Sequence, residues 1–344
     1  MIKPRSGNIR IVIVDDSAVF RAILVKGLSA DPAIEVVGAA GDPYEAAERI
    51  ETLQPDVLIC DVEMPRMNGV EFIRQLMPQH PMPIIVASSV SNAIFDALHA
   101  GAVDFVTKPS IGSVNDVERF LLDLIRKIKI AGSSNTRTRT EPATERTETV
   151  HRPYGSENDL IVIGASTGGT EAIHRVLKDL PPDMPGIAVV QHIPPVFSRM
   201  FAERLNATTC FRVKEAQSGD LLTRGTVLVA PGDKHMRIAG SGSPWSVRCD
   251  AGDKVSGHCP SVDVLFESAA KSGGRRVIAV LLTGMGYDGA KGMLAVRRRG
   301  GRTIGQDEAT SVVYGMPKAA FEVGAVERVV PLNLVARTIC SLLA

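Results

Sequence analysis

Short apolar runs alternate with helical patterns on both sides of one stretch that cannot bury a core. Before residue 131 five runs read as strands: "IRIVIV", "IEVVGAA", "DVLIC", "IIVA" and "VDFV". Helical patterns begin near Ser17, Pro43, Gly69, Ser91 and Asn115, and the last sets Val117, Phe120, Leu121, Leu124 and Ile128 on one face. Strands this short and apolar, each followed by a helix, predict a parallel sheet covered on both sides. The alternation returns with "LIVIG", "GIAVVQ", "GTVLVA" and "RVIAVLL", so the second half is also expected to be α/β. No repeat relates the halves.

The stretch between them, residues 131–157, is dominated by Thr, Arg, Glu and Ser and reads as a flexible linker. It divides the chain into an expected domain at 1–130 and another at 158–344. A coil of about 25 residues spans roughly 25–30 Å, enough for two domains to dock or to part. With 344 residues, 44% apolar content and a net charge of +1, the chain can build two cores and offers no basic surface for nucleic acid. Its five cysteines (Cys60, Cys210, Cys249, Cys259 and Cys340) form no C-x-x-C pair, which fits reduced thiols. The N-terminal "MIKPRSGNIR" lacks a signal-peptide core and no run reaches membrane-spanning length. A soluble, cytoplasmic protein without membrane insertion is expected.

In a parallel sheet the loops at the carboxyl ends of the strands form the site. Asp15 and Asp16 follow the first strand, Asp61 ends the third, Ser88 follows the fourth and Lys108 the fifth. Three converging carboxylates raise one another's pKa unless a cation neutralises them, and a hard divalent ion such as Mg2+ suits oxygen ligands. Lys108 adds a positive charge and Ser88 a hydroxyl for an incoming anion; Ser89 is the alternative to Ser88.

The motifs "IVIVDDS", "DVLICDVEMPRMNG", "IIVASS" and "GAVDFVTKP" make residues 8 to about 128 resemble a response-regulator receiver domain, with its flavodoxin-like (βα)5 fold. The resemblance implies that Asp61 accepts a phosphoryl group from a histidine kinase. It implies that Asp15, Asp16 and Asp61, with the main-chain carbonyl of Glu63, hold Mg2+. Ser88 and Lys108 would contact the phosphoryl oxygens. Phe105 stands at the place of a switching aromatic, where it can pack but cannot donate a hydrogen bond.

In the second half, "DLIVIGASTGGTEAIHRVL" puts Ser166 at the turn between a strand and a helix. The turn could cradle a phosphate, present a nucleophile, or simply be tight. It lacks the lysine of a Walker loop, and Ser166 stands where the dinucleotide fingerprint needs its second glycine. Gly164-Ala165-Ser166-Thr167-Gly168 does satisfy G-x-S-x-G, a sharp turn that exposes a serine beside the free N–H groups of a helix. Such a serine needs a base and an orienting acid. His192 ends the run "GIAVVQH"; His174 lies within a helix, and His235 and His258 are weaker loop candidates. Asp288 is the one acid of the glycine-rich loop in "RVIAVLLTGMGYDGAKG". The order Ser–His–Asp differs from that of the ordinary α/β-hydrolases.

The motifs "IGASTGG", "VVQHIPPVFSRMFAERL", "APGDKHM", "PSVDVLF", "LLTGMGYDGAKGM" and "QDEATSVVYGMPKAA" make residues 159 to about 341 resemble the catalytic domain of the chemotaxis protein-glutamate methylesterases, the CheB type. That implies a doubly wound, mostly parallel α/β domain with Ser166 as nucleophile, His192 as base and Asp288 as orienting acid. Thr167 and the backbone at Met285 would line the site. The implied reaction is hydrolysis of glutamyl methyl esters on methyl-accepting chemoreceptors, and deamidation of receptor glutamines, with no cofactor in this half. Cys259 departs from the family, which often carries arginine there. A receiver tethered to an esterase suggests inhibition by docking until Asp61 is phosphorylated. A receiver-driven transcription factor lacks support, since no helix-turn-helix or basic stripe accompanies the second half.

Overall fold

The computed structural model describes residues 7–89, 92–109, 114–133, 154–240 and 244–344. The chain forms two compact units, residues 1–137 and 138–344.

In the first unit the strands are β1 (Ile9–Val14), β2 (Ile34–Ala40), β3 (Val57–Asp61), β4 (Ile84–Ser88) and β5 (Asp104–Thr107). They alternate with α1 (Ala18–Leu28), α2 (Pro43–Leu53), α3 (Gly69–Leu76), α4 (Ala93–Ala100) and α5 (Val114–Gly132). All pairings are parallel, in the order β2-β1-β3-β4-β5. The flavodoxin-like expectation therefore holds. Side-chain oxygens start the helices: Ser17 accepts from the Phe20 N–H, Asp42 from Tyr44 and Glu45, and Asn68 from Glu71. Helices α1 and α5 pack together while α2, α3 and α4 pack in succession. Phe120, Leu124 and Ile128 are the buried members of the α5 stripe, with Val117 and Leu121 at its margin.

Helix α5 reaches Gly132, past the boundary read from composition, because Ile130 and Ala131 are buried in its last turn. At the far side of the linker, Arg224 donates to the carbonyls of Tyr154 and Gly155 at 2.9 and 3.0 Å, so these residues belong to the second unit. The linker between, residues 134–153, lies outside the described residues.

The second unit contains β6 (Leu160–Ala165), α6 (Gly169–Asp179), β7 (Gly186–Gln191), α7 (Pro195–Thr208), β8 (Arg212–Glu215), β9 (Leu221–Leu222), β10 (Thr226–Val229), β11 (His235–Ala239) and β12 (Trp245–Asp250). There follow α8 (Val262–Gly273), β13 (Val277–Leu281), α9 (Ala290–Arg298), β14 (Arg302–Gln306), α10 (Met316–Glu322), β15 (Arg328–Val330) and α11 (Leu332–Leu343). Seven strands form a wholly parallel sheet in the order β15-β14-β13-β6-β7-β10-β8. A small antiparallel sheet, β11-β12-β9, brings Trp245 and Met236 into the core under α8. The chain winds outward from β6 through β7 to one edge and then returns to β13 on the other side of β6. That reversal is the switch point at which open α/β sheets place their sites.

Among the described residues, no helix is long and apolar enough to cross a membrane.

Gly69 shows how tightly the first site is built. A Cβ added there would lie 2.0 Å from the Asp61 carbonyl oxygen, a main-chain atom that cannot yield without moving β3. Gly69→Ala is expected to cost the receiver about 2–4 kcal/mol, read as a lower urea midpoint at unchanged slope; an unchanged midpoint would show that the β3–α3 turn yields freely.

Candidate active site

Strand β6 leaves the sheet at Ala165, and the next residue is Ser166. Its N–H donates to the Thr283 carbonyl at 3.0 Å, and its carbonyl accepts from the Gly169 N–H at 2.7 Å, closing the turn into α6. The turn takes its left-handed conformation at Gly168, φ 74°, and not at the serine. Ser166 is therefore seated without the strained backbone that an elbow serine would carry. Gly284 passes so close that a Cβ there would meet the Ser166 Cβ at 2.7 Å. Thr167 is buried and offers its carbonyl to Thr283 Oγ1 at 3.0 Å, whereas Ser166 is half-buried and Met285 is exposed on the loop after Gly284.

Strands β6 and β7 pair in register up to Ala165 and Gln191. One further bond, His192 N–H to the Ala165 carbonyl at 3.2 Å, continues the ladder. Ser166 and His192 thus stand abreast at the ends of paired strands, whose spacing is about 5 Å. The Gln191 side chain locks this arrangement. Its Nε2 donates to the carbonyls of both Ser166 (2.8 Å) and His192 (3.2 Å). Its Oε1 lies where Gly169 leaves room: a Cβ at Gly169 would meet it at 2.2 Å.

The third strand end brings Asp288. Its Oδ2 is 2.9 Å from His192 Nε2 and accepts the Val262 N–H at 2.8 Å. Its Oδ1 accepts from Ser261 Oγ at 2.8 Å and the Asp263 N–H at 2.9 Å. A carboxylate that is 1% exposed sits on the amino end of α8, where unpaired N–H groups and the helix dipole favour negative charge. Burial opposes its ionisation, but the His192 contact and the α8 N–H groups prevail and hold its pKa below the ordinary value. Neighbouring Asp263 behaves oppositely. Burial, with the Asp288 charge beside it, pushes its pKa up, against hydrogen bonds from Gly292, Ser256 and Gly289.

Asp288 can only accept, so Nε2 of His192 carries the proton. The other nitrogen, Nδ1, is buried and has no hydrogen-bond partner among the described residues. A neutral imidazole held this way keeps a free lone pair at Nδ1, the reverse of the serine-protease arrangement, in which Nδ1 faces the acid.

Sequence reading missed the supports of this site. His258, a weak candidate for the base, stacks on His192 with ring centroids 3.7 Å apart and planes inclined by 8°. His235 is structural: its Nε2 lies 2.8 Å from the Asp253 carbonyl, and its Nδ1 accepts the Ser261 N–H at 3.2 Å. Ser261, the N-cap of α8, had a sequence signal, a capping residue directly before the apolar run "VDVLF". Gln191 and Thr283 had none beyond ending apolar strands. Cys259 follows His258 half-buried, its thiol pushed up by burial and the Asp233 charge.

In the receiver, the carboxylate oxygens of Asp15, Asp16 and Asp61 lie within 4.8 Å of one another. Lys108 Nζ is 2.6 Å from both Asp15 Oδ2 and Asp61 Oδ2. Burial raises the Asp61 pKa against the pull of Lys108. Burial also opposes the Lys108 charge, but its two carboxylate partners keep its pKa above the ordinary value. Three carboxylates against one ammonium leave negative charge uncompensated, and this oxygen donor set fits a divalent cation. Ser88 is fully buried and its hydroxyl has no partner among the described residues, whereas the Ser89 hydroxyl donates to Glu63 Oε2 at 2.8 Å. Glu63 also donates its N–H to Asp61 Oδ1 at 3.2 Å. Phe105 is buried, with Lys127 Nζ 5.3 Å from its ring centroid.

The two units define a receiver joined to an α/β domain that sets a serine, a histidine and an aspartate beyond the carboxyl ends of three adjacent central strands. Residues 11–115 match the response regulator receiver domain family, and residues 161–339 match the CheB methylesterase family. The chain is 49% identical to a protein-glutamate methylesterase/protein-glutamine glutaminase of Syntrophomonas wolfei, over 98% of this chain and 99% of that one. It is 46% identical to another from Pseudomonas aeruginosa, over 95% of each. The solved catalytic domain of the Thermotoga maritima CheB methylesterase matches with a TM-score of 0.52 and 38% identity, covering 54% of this chain and 98% of that one. The chain belongs to the CheB methylesterase family and carries that family's receiver domain.

An asparagine at 288 would turn an amide NH2 towards donors whichever way it faced, since both oxygens already accept from two groups each. Asp288→Asn should cost about 2–3 kcal/mol, lowering the melting temperature by roughly 4–12 °C at neutral pH. Because the folded-state pKa of Asp288 is depressed, its stabilisation is complete above the unfolded carboxylate range and is lost as pH falls through the folded value. The gap between parent and variant should therefore narrow below about pH 4. Equal melting at neutral pH would show that the carboxylate does not hold α8.

Proposed function

We propose that this chain hydrolyses methyl esters of glutamate side chains on chemoreceptors, and deamidates receptor glutamines, with Ser166 as nucleophile, His192 as base and Asp288 as orienting acid. The 2.9 Å contact between His192 Nε2 and Asp288 carries this reading, because it leaves the Nδ1 lone pair available as a base, while Ser166 and His192 follow the paired strands β6 and β7. The activity named for the full-length relatives supports the substrate.

Ser166 Oγ attacks the ester carbonyl carbon while its proton passes to His192 Nδ1. The imidazolium so formed is stabilised by Asp288 through Nε2–H. Collapse of the tetrahedral intermediate breaks the bond to the methoxy oxygen, which takes the proton from Nδ1 and leaves as methanol. Water then attacks the acyl-serine by the same route, and glutamate is restored. With a glutamine side chain the leaving group is ammonia. Backbone N–H groups at Thr167 and Met285 are the proposed oxyanion donors, each worth about 3–4 kcal/mol in such a site.

In the receiver, Asp61 accepts the phosphoryl group from a histidine kinase. Asp15, Asp16, Asp61 and the Glu63 carbonyl would hold Mg2+, which when bound neutralises charge on the phosphoryl oxygens and the carboxylates. Lys108 pairs with the incoming anion, and the unpartnered Ser88 hydroxyl is the donor available to it. Phe105 is the candidate packing switch. The unphosphorylated receiver restrains the esterase, and a coupling of about 1–3 kcal/mol corresponds to roughly 5- to 150-fold in activity.

Methanol release from methylated receptor membranes tests the chemistry. Ser166→Ala should lower it by at least about 10³-fold, whereas parent-like release would exclude the serine mechanism. A small phosphodonor should stimulate the full chain but not Asp61→Asn, and a chain starting at residue 154 should be active without it. A truncated chain that is folded yet no faster than the unphosphorylated parent would contradict restraint by the receiver.

A further inference from the structure

The catalytic histidine of the reading above has one edge on Asp288 and one face on a second imidazole. His258 reaches it from a two-residue hairpin. The Val255 N–H donates to the His258 carbonyl and the His258 N–H to the Val255 carbonyl, both at 3.0 Å. The two central residues, Ser256 (φ 52°) and Gly257 (φ 85°), are left-handed, as a tight primed turn demands. Glycine or asparagine suits the first of these places better than serine. What serine adds is its hydroxyl, which donates to Asp263 Oδ2 at 2.8 Å. Asp263 in turn accepts the Gly292 N–H at 2.7 Å and donates its own N–H to Asp288 at 2.9 Å. A closed circuit results, running from His258 through its turn to Ser256, Asp263 and Asp288, and back through His192 to the stacked ring.

We propose that His258 is a positioning residue for the esterase reaction: its ring, set by the 255–258 turn, covers one face of His192 and holds the imidazole plane so that Nε2 stays on Asp288 and Nδ1 stays open to take the serine proton. This inference rests on His192 being the base. The coplanar stack blocks rotation about the Cβ–Cγ bond of His192, since the ring cannot swing without displacing its neighbour. It also keeps water from that face. Both effects act on the reacting ring and leave substrate contacts alone, so they belong to kcat.

The test compares the full-length parent with His258→Ala, His258→Phe and Ser166→Ala in methanol release from methylated receptor membranes, with thermal melting of each variant. His258→Ala should lower kcat about 10-fold with KM within about 2-fold, because a loss of that size matches one stacked ring pair. His258→Phe, which restores a flat ring without nitrogens, should recover activity to within about 3-fold of the parent. A folded His258→Ala protein with parent kcat would overturn the inference. So would a folded His258→Phe protein with activity at or below that of His258→Ala, since the nitrogens and not the flat face would then matter. Ser166→Ala separates the two claims: if it is inactive while His258→Ala matches the parent, only the positioning role fails. If Ser166→Ala retains parent activity, the serine mechanism fails and the positioning role with it.

Discussion

The second unit depends on one buried charge. Asp288 accepts four hydrogen bonds while almost wholly removed from solvent, and three of the donors belong to Ser261, Val262 and Asp263 at the start of α8. Without them the carboxylate would protonate, and a protonated acid could donate to the histidine instead of accepting from it. The helix start therefore decides the tautomer of His192. Asp263, beside it at the start of α8, is pushed towards its neutral form by burial and, to a smaller extent, by the Asp288 charge, so one carboxylate of the pair is held charged and the other is not.

The positions of Ser166 and His192 follow from sheet geometry more than from any side-chain contact. Parallel pairing of β6 with β7 brings their next residues abreast, and pairing of β6 with β13 brings the Asp288 loop to the other side of the serine. Gln191 fastens the first junction and Thr283 the second, the latter with its own N–H held by Gln306 Oε1 at 2.8 Å. Glycine at 284 and at 169 is a matter of clearance, because any side chain would occupy the space of Ser166 or of the Gln191 amide.

Strands β1, β3, β4 and β5 were legible as apolar runs because their central residues are buried on both faces, and β2, only half-buried, was legible because "IEVVGAA" is apolar at nearly every position. In the second unit β6, β7, β10 and β13 were legible for the first of these reasons. Strands β8, β11 and β12 mix exposed charged residues with apolar ones, β9 and β15 are only two and three residues long, and β14 ("RTIGQ") has one large apolar residue, so none makes a continuous run. Ser166, His192 and Asp288 could be picked out because each follows an apolar strand. The positive φ at Gly168 in place of Ser166, the use of Nε2 rather than Nδ1 towards the acid, and the stacking of His258 could not. They depend on how loops far apart in sequence meet over α8, which no local pattern records.

The receiver follows a similar logic with the charges reversed: a lysine stands between two buried carboxylates, so charge compensation precedes any incoming anion. In both units, reactivity is prepared by groups that fix the protonation state of a neighbour. The central claim is that His192 makes Ser166 nucleophilic, and covalent trapping tests it most directly. After exposure of the full chain to a fluorophosphonate, peptide mass spectrometry should find a single adduct on Ser166, absent from a folded His192→Ala protein. An unmodified Ser166 in the parent, or equal labelling in the histidine variant, would contradict the account.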